Sequence, residues 1–354
     1  MIAEKAPNLR CFFYAFVFFQ FRLQFYITGK SRRNQSFAVE AEREDAQSIM
    51  NQKYILYNPK AGNGASKADA EILELLYENT VYLDITQIEC YSDFFRTLDS
   101  SDEVILCGGD GTLNRFANDV KDIELSIPIY CFATGTGNDF VRDLGLCGFA
   151  DPDFCINGYL QELPTVTVNG QEQCFLNNVG YGIDGYCSEV GDCLRGKQES
   201  TGKKIKINYT KIAIKGLLFH YKPTNAVVTV DGVSRTYKNV WLVPTMYGRY
   251  YGGGMMPTPK QDRTGAEKTL SVMVLHGAGK LKTLLMFPSI FKGEHVRYKK
   301  HVDILTGHEI RVEFDRPAPL QIDGETVLDV RSYTAKSAAV STKTNREMSE
   351  CIEC

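Results

Sequence analysis

Apolar and polar positions follow two different rhythms along the chain. Between residues 53 and 145, short apolar runs (Tyr54-Ile55-Leu56-Tyr57, Val104-Ile105-Leu106 and Ile127-Pro128-Ile129-Tyr130-Cys131-Phe132) are separated by helical spacing such as Ala68, Ile72, Leu75 and Leu76. Unbroken apolar runs suit strands buried on both faces. Their alternation with helices predicts a doubly wound parallel α/β sheet. Short helices are expected at 94–98 and from Thr112 through Phe116 to Val120. After about residue 160 the rhythm changes. Val166-Thr167-Val168 meets Asn169-Gly170, and Ala226-Val227-Val228-Thr229-Val230 meets Asp231-Gly232, both signals of two-residue hairpin turns. Further strands are expected at 173–179, 240–245, 270–275, 302–305 and 310–314, which together predict an antiparallel β-sandwich. One helix interrupts them at 208–221, where Lys211 and Lys215 interleave with Ile212, Ile214, Leu217, Leu218 and Phe219. Such a segment either rests on anionic lipid or turns a solvated lysine face outward, the second being the commoner case.

Three successive strands of the first region end in glycine-rich turns. They are Asn58-Pro59-Lys60-Ala61-Gly62-Asn63-Gly64, then Gly108-Gly109-Asp110-Gly111-Thr112, then Gly135-Thr136-Gly137-Asn138-Asp139-Phe140. Ligands of open α/β sheets sit at the carboxyl ends of the strands. Glycine lets main-chain N–H groups approach an anion, and a helix N-terminus adds positive potential. A carboxylate among them, Asp110, makes sense if it holds a metal ion or takes a proton, and the combination points to phosphoryl transfer. N–H groups of Gly109, Gly111 and Thr112 and the Thr112 hydroxyl are expected to hold phosphate oxygens. Asn58 and the turn at Gly62 form a second wall, and Thr136 a third. No G-x-x-x-x-G-K-[ST] sequence occurs, so these turns must do the work of a P-loop. Arg142, one turn after Asn138, either faces the same cleft or pairs with Asp139 at (i, i+3).

Composition narrows the setting. The 354 residues suffice for two ordinary domains, and 44% hydrophobic residues allow sizeable cores. A net charge of −3 gives no general attraction for nucleic acid. Eleven cysteines form neither a disulfide framework nor a zinc spacing, and Cys351-x-x-Cys354 has no partner pair, which suits a reducing cytoplasm. The Phe-rich run at 11–19 is broken by Gln20, Arg22 and Gln24, short of the roughly 20 residues a spanning helix needs. Residues 1–49 are therefore expected to lie outside the folded domain, as an interfacial anchor or an upstream translation start. A nucleotide-binding domain is expected over 50–160, a β-rich domain over 161–332, and a disordered tail over 333–354.

The three turns, with Gln321-Ile322-Asp323-Gly324-Glu325 far downstream, resemble the motifs of the diacylglycerol kinase catalytic-domain family, which includes bacterial lipid kinases and sphingosine kinases. The Gly108–Thr112 motif alone is shared with NAD kinases; the Gly135–Phe140 motif and the late Asp-Gly-Glu select the lipid-kinase branch. The resemblance covers roughly 53–330 and implies a nucleotide domain and a β-rich domain enclosing a cleft. It implies transfer of phosphate from ATP, with Mg2+, to the hydroxyl of diacylglycerol, giving phosphatidate. It also implies that Glu325 is the base, that Asp110 is its carboxylate partner near the metal, and that Gly108, Gly109, Gly111, Thr112, Asn138 and Arg142 support the phosphates. The expected partners are ATP, a membrane lipid at the inner face of the membrane, and a second copy of the chain; nucleic acid is not expected. Other lipid alcohols (a sphingoid base, phosphatidylglycerol), NAD as acceptor, or a silent lipid- or nucleotide-binding paralogue are the rival readings. One segment departs from the family. Where bacterial members carry Asp-Asp-Gly-x-Leu around a structural magnesium, this chain has Asp262-Arg263-Thr264-Gly265-Ala266-Glu267-Lys268-Thr269-Leu270. Glu267 takes the aspartate's place, with Asp262 as the alternative ligand.

Overall fold

A computed structural model describes residues 51–59, 70–71, 73, 77–135, 137–146, 154–201 and 207–338. The expected extension at 1–49, Gly62, Thr136 and the tail from 339 onward lie outside the described residues.

Strands β1 (Lys53–Tyr57), β2 (Thr80–Asp84), β3 (Glu103–Gly108) and β4 (Ile129–Ala133) form a parallel sheet in the order β2-β1-β3-β4. Period-two alternation sends neighbouring apolar residues into different cores. Leu56, Val104 and Leu106 join one cluster, while Ile55, Ile105 and Cys107 join another on the opposite face. Helices α1 (Tyr91–Arg96) and α2 (Asp110–Val120) cover the first face through Tyr91, Leu113, Phe116 and Val120. Helix α3 (Asp139–Asp143) follows β4. In helix α4 (Asn157–Gln161), the Asn157 side chain donates to Leu125 and Ile127 carbonyls and accepts the Ile129 N–H, tying the segment to the first sheet.

The second region is one ten-stranded antiparallel sheet. It comprises β5 (Thr165–Val168), β6 (Gln171–Cys174), β7 (Asn178–Gly182), β8 (Thr224–Val230), β9 (Val233–Val240), β10 (Leu242–Met246), β11 (Leu270–Leu275), β12 (Val302–Gly307), β13 (Glu309–Ile322) and β14 (Glu325–Lys336). Positive φ at Asn169-Gly170, Asp231-Gly232 and Asp323-Gly324 gives all three hairpins the turn their sequences call for. β13 pairs β8 along Ile310–Phe314 and β7 along Leu320–Ile322, with irregular register between Glu313 and Ala318. The sheet bends there, and the two halves face each other as the expected sandwich: Thr245 and Tyr333 hydroxyls meet at 2.8 Å, and Val228, Val312, Val179 and Val272 share one cluster. That cluster also contains Leu56, Val104 and Phe116, so the two sheets are joined by a continuous core.

Two elements depart from the sequence reading. Helix α5 (Ile183–Thr201) is the longest in the described residues, yet it was not expected. Its glycines weaken the helical signal, and they are there for close approach: a Cβ on Gly185 would stand 1.7 Å from the Pro319 carbonyl oxygen, and one on Gly191 2.8 Å from the Tyr209 hydroxyl. β14 runs to Lys336 with Tyr333 buried, so residues 333–336 belong to the sheet and not to the tail. The helix expected at 208–221 is α6 (Tyr209–Lys215), capped by the Asn208 side chain, continuing as a π turn over Gly216–His220. Helix α7 (Lys280–Ile290), also unexpected, shares a core cluster with α5 and the π turn through Met286, Phe287, Ile183 and Leu217.

Candidate active site

β3 ends at Gly108, Gly109 takes the N-cap position, and Asp110 opens α2. The first-turn N–H groups of that helix lack intrahelical acceptors and leave a positive end. Each glycine has a separate reason. A Cβ on Gly108 would sit 2.5 Å from Thr112 Cβ, and one on Gly135 2.5 Å from Gly109 Cα, so the second and third turns touch backbone to backbone. At Gly111 a Cβ would meet nothing within 4 Å among the described residues outside its own helix backbone. That open space at a helix N-terminus fits the phosphate oxygens of a nucleotide. The first turn joins through Asn58, whose Nδ2 donates to Thr112 Oγ1 at 3.3 Å.

Asp110 links the motifs. Its Oδ2 accepts the Asp139 N–H at 3.0 Å; its Oδ1 accepts the Phe140 N–H at 2.9 Å and Asn177 Nδ2 at 3.2 Å. Asn138, in a left-handed conformation at the start of α3, does not cap that helix with its own side chain. Buried Asp139 accepts the Gly253 N–H at 2.8 Å. Burial, then the Asp110 carboxylate, push its carboxyl up to about 6, against Gly253 and Gly254 N–H groups and Arg142. Arg142 is half-exposed, 4.0 Å from Asp139 and over the Tyr250 ring at 5.6 Å. The glycine-rich loop at 252–254 is thus docked over the third turn.

The late Asp-Gly-Glu turn is drawn in by its aspartate. Asp323 accepts Asn114 Nδ2 at 2.8 Å from α2, the N–H groups of Asn177 at 2.8 Å and Asn178 at 2.9 Å, and that of Leu176. Burial nevertheless pushes its carboxyl up to about 6. Glu325, two residues on, is exposed, and its carboxylate forms no hydrogen bond or ion pair among the described residues. Nearby, burial pushes Asp184 up to about 7, opposed by Tyr251 and Gln321.

In the segment at 262–268 the expected metal ligand Glu267 and its alternative Asp262 are both exposed. Asp262 is exposed and accepts the Thr264 N–H at 2.9 Å and its hydroxyl at 2.6 Å, which lowers its pKa; Glu267 is exposed and does not join it. Among the described residues no three His, Cys, Asp or Glu side chains converge. Arg263 turns inward instead. It reaches Asp143 at 2.5 Å, Asn177 Oδ1 at 2.8 Å and the Leu176 carbonyl at 3.2 Å, with the Phe140 ring 4.8 Å away. Arg249 adds a second contact to Asp143 at 2.8 Å. Sequence reasoning missed Arg263, Asp143 and the linking role of Asp323. A lone arginine in a loop of polar residues gives no sign that it is buried.

Comparison with known proteins agrees with this arrangement. The diacylglycerol kinase catalytic domain matches residues 52–167, and the YegS C-terminal NAD kinase beta sandwich-like domain matches residues 177–337. A diacylglycerol kinase of Bacillus subtilis is 24% identical over 289 residues, covering 78% of this chain and 90% of that protein. A diacylglycerol kinase of Mycobacterium tuberculosis is 24% identical over 253 residues, covering 68% of this chain and 78% of that protein. The crystal structure of a "putative diacylglycerol kinase" from Bacillus anthracis shares the fold, with a TM-score of 0.55, 20% identity, and coverage of 83% of this chain and 95% of that one.

Proposed function

We propose, because the chain belongs to the diacylglycerol kinase catalytic-domain family, that it transfers the terminal phosphoryl group of ATP to the free hydroxyl of diacylglycerol, giving phosphatidate. One observation carries this reading: Asp110 is hydrogen-bonded to the third turn and to Asn177, while Asp323 is bonded to Asn114 and Asn177, so the motifs share one site.

Phosphoryl transfer asks for positioning and charge stabilisation more than covalent chemistry. Main-chain N–H groups at Gly111 and Thr112, with Asn58 behind Thr112, bind the phosphates. The lipid oxygen forms a bond to the γ-phosphorus as the bond to the β-bridging oxygen breaks and ADP leaves. The hydroxyl proton passes to the Glu325 carboxylate, which no other side chain occupies among the described residues. When bound with the nucleotide, Mg2+ would supply charge neutralisation on its phosphates, with the Asp110 carboxylate expected nearby. The departure from the family's Asp-Asp-Gly-x-Leu pattern at 262–268 would favour a silent paralogue if nothing held the segment, but Arg263 cross-links it to Asp143. No helix among the described residues is long and apolar enough to cross a membrane.

The test is transfer of labelled phosphate from ATP to diacylglycerol, sphingosine, phosphatidylglycerol and NAD, presented in parallel. Label on diacylglycerol is expected. Label confined to another acceptor, or none at all, overturns the reading.

A further inference from the structure

The three most exposed large apolar side chains among the described residues are Phe219 at 73%, Leu281 at 73% and Leu285 at 78%. They belong to two neighbouring elements. Lys280 Nζ donates to the Leu218 carbonyl at 3.1 Å, joining the start of α7 to the π turn; Phe219 follows one partner and Leu281 the other. Helix α7 is apolar nearly all round. Thr283, Met286, Phe287 and Ile290 are buried, while Leu281, Leu285 and Pro288 form an exposed stripe at i, i+4 and i+7. A helix apolar on every side normally has both sides covered.

The charge around this stripe is one-sided. Residues 207–223 contain Lys211, Lys215 and Lys222 and no Asp or Glu; residues 276–293 contain Lys280, Lys282 and Lys292 and again no Asp or Glu. All six lysines are exposed, on a chain whose net charge is −3. Apolar side chains flanked by lysines without carboxylates match the boundary of an anionic bilayer, where apolar groups enter the acyl region and ammonium groups meet lipid phosphates.

We infer that α7 and the π turn form the surface that docks this protein on an anionic bilayer, with Phe219, Leu281 and Leu285 inserted. This deepens the lipid-kinase reading and rests on it for its purpose. The surface is linked to the site: the Ile290 carbonyl ending α7 accepts the Met256 N–H at 3.1 Å, just beyond the glycine loop whose Gly253 N–H binds Asp139.

The test is co-sedimentation of the full chain with vesicles of phosphatidylcholine alone and of phosphatidylcholine mixed equally with phosphatidylglycerol. Binding to the mixed vesicles is expected, with little to the neutral ones. The Leu281→Ser, Leu285→Ser double variant is expected to lose ~10-fold or more in partition, with an unchanged melting temperature. At about fivefold per lysine, the Lys280→Ala, Lys282→Ala double variant is expected to lose roughly 25-fold. Equal binding by wild type and both variants overturns the inference. So does a wild-type dimer in sedimentation velocity that Leu285→Asp dissociates, since the face would then belong to a second copy. Phosphoryl transfer to a short-chain diacylglycerol in solution needs no vesicle and should be equal in all variants. Its absence in wild type would remove the kinase reading and leave the vesicle result standing.

Discussion

Asp110 caps the helix that begins at Asp139. Its two oxygens accept the Asp139 N–H at 3.0 Å and the Phe140 N–H at 2.9 Å, so the turn after β3 holds the turn after β4. Asn138, the residue whose position would ordinarily supply the cap, leaves the task to a side chain 28 residues earlier in sequence. The group that the sequence marks for chemistry is therefore also a structural fastener.

Asp110→Asn is expected to lower turnover by ~10²-fold or more, because the negative charge at the site is lost. It is also expected to cost about 1–3 kcal/mol in stability. With the amide oxygen at Oδ1, its NH2 group faces the Asp139 N–H, donor against donor. Turnover and a chemical melt on the same preparation check both. Near-normal turnover would remove Asp110 from the reaction; unchanged stability would show that the α3 cap is dispensable.

Glu325→Gln is expected to behave differently. Glu325 is exposed and free of partners, so its stability change should stay within about 0.5 kcal/mol. Removing a general base lowers turnover by roughly 10²–10⁴-fold. The ATP dissociation constant should be unchanged, since Glu325 lies on the β13–β14 turn and not on the phosphate turns. A loss of rate explained wholly by weaker ATP binding would take Glu325 out of the proton-transfer role.

Much of this was legible because it is local. Apolar runs that stop at glycines mark β1, β3 and β4, and Asn169-Gly170 and Asp231-Gly232 fix their hairpins within two residues. What escaped is non-local. Gly185 and Gly191 look unfavourable in a helix until Pro319 and Tyr209 are seen pressed against them, so α5 was unreadable from its own sequence. Asp323 reads as a hairpin aspartate, and only the fold brings Asn114 and the 176–178 backbone to it. At 262–268 the family pattern led to carboxylates, whereas the fold buries the arginine between them.

Arg263→Met is expected to destabilise by about 3–5 kcal/mol, the usual cost of removing one partner of a buried ion pair. It abandons contacts with Asp143, Asn177 and Leu176 together. Arg263→Lys should recover only part of this, since one ammonium cannot span three acceptors as a guanidinium does. Equilibrium unfolding in urea measures both. A loss below about 1 kcal/mol for the methionine variant would mean that the pair behaves as a surface one.

Asp139 and Asp323 carry a pH signature. Both folded values are about 6, above the usual carboxylate value near 4. Between those limits the folded chain holds more protons than the unfolded chain, so the stability due to these groups falls as pH rises from 4 to 6 and is flat above. The check is wild type against Asp323→Asn in thermal melts from pH 4 to 8. The wild-type-minus-variant difference should fall across the lower half of that range. A difference that grows with pH would mean that the N–H bonds from 176–178 outweigh the cost of burying the charge.

Gly111→Ala separates a ligand-facing glycine from a structural one. Among the described residues, no atom outside the helix's own backbone lies within 4 Å of the added methyl, and the residue sits in the first turn of α2. Alanine in place of helical glycine should raise stability by up to about 1 kcal/mol. If phosphate oxygens occupy that open space, the same methyl should displace them. ATP affinity is then expected to fall ~10-fold or more, and turnover further, as misplaced reacting groups lose up to ~10² in rate. Gly135→Ala supplies the contrast. Its methyl would stand 2.5 Å from Gly109 Cα, where only backbone movement relieves the overlap, at about 1–3 kcal/mol of stability. Isothermal titration with ATP and a thermal melt on both variants distinguish the cases. Gly111→Ala should be a stable protein that binds ATP poorly, and Gly135→Ala a less stable one. If Gly111→Ala binds ATP as wild type does, the first turn of α2 does not face the nucleotide, and the phosphate site must be sought elsewhere along the three turns.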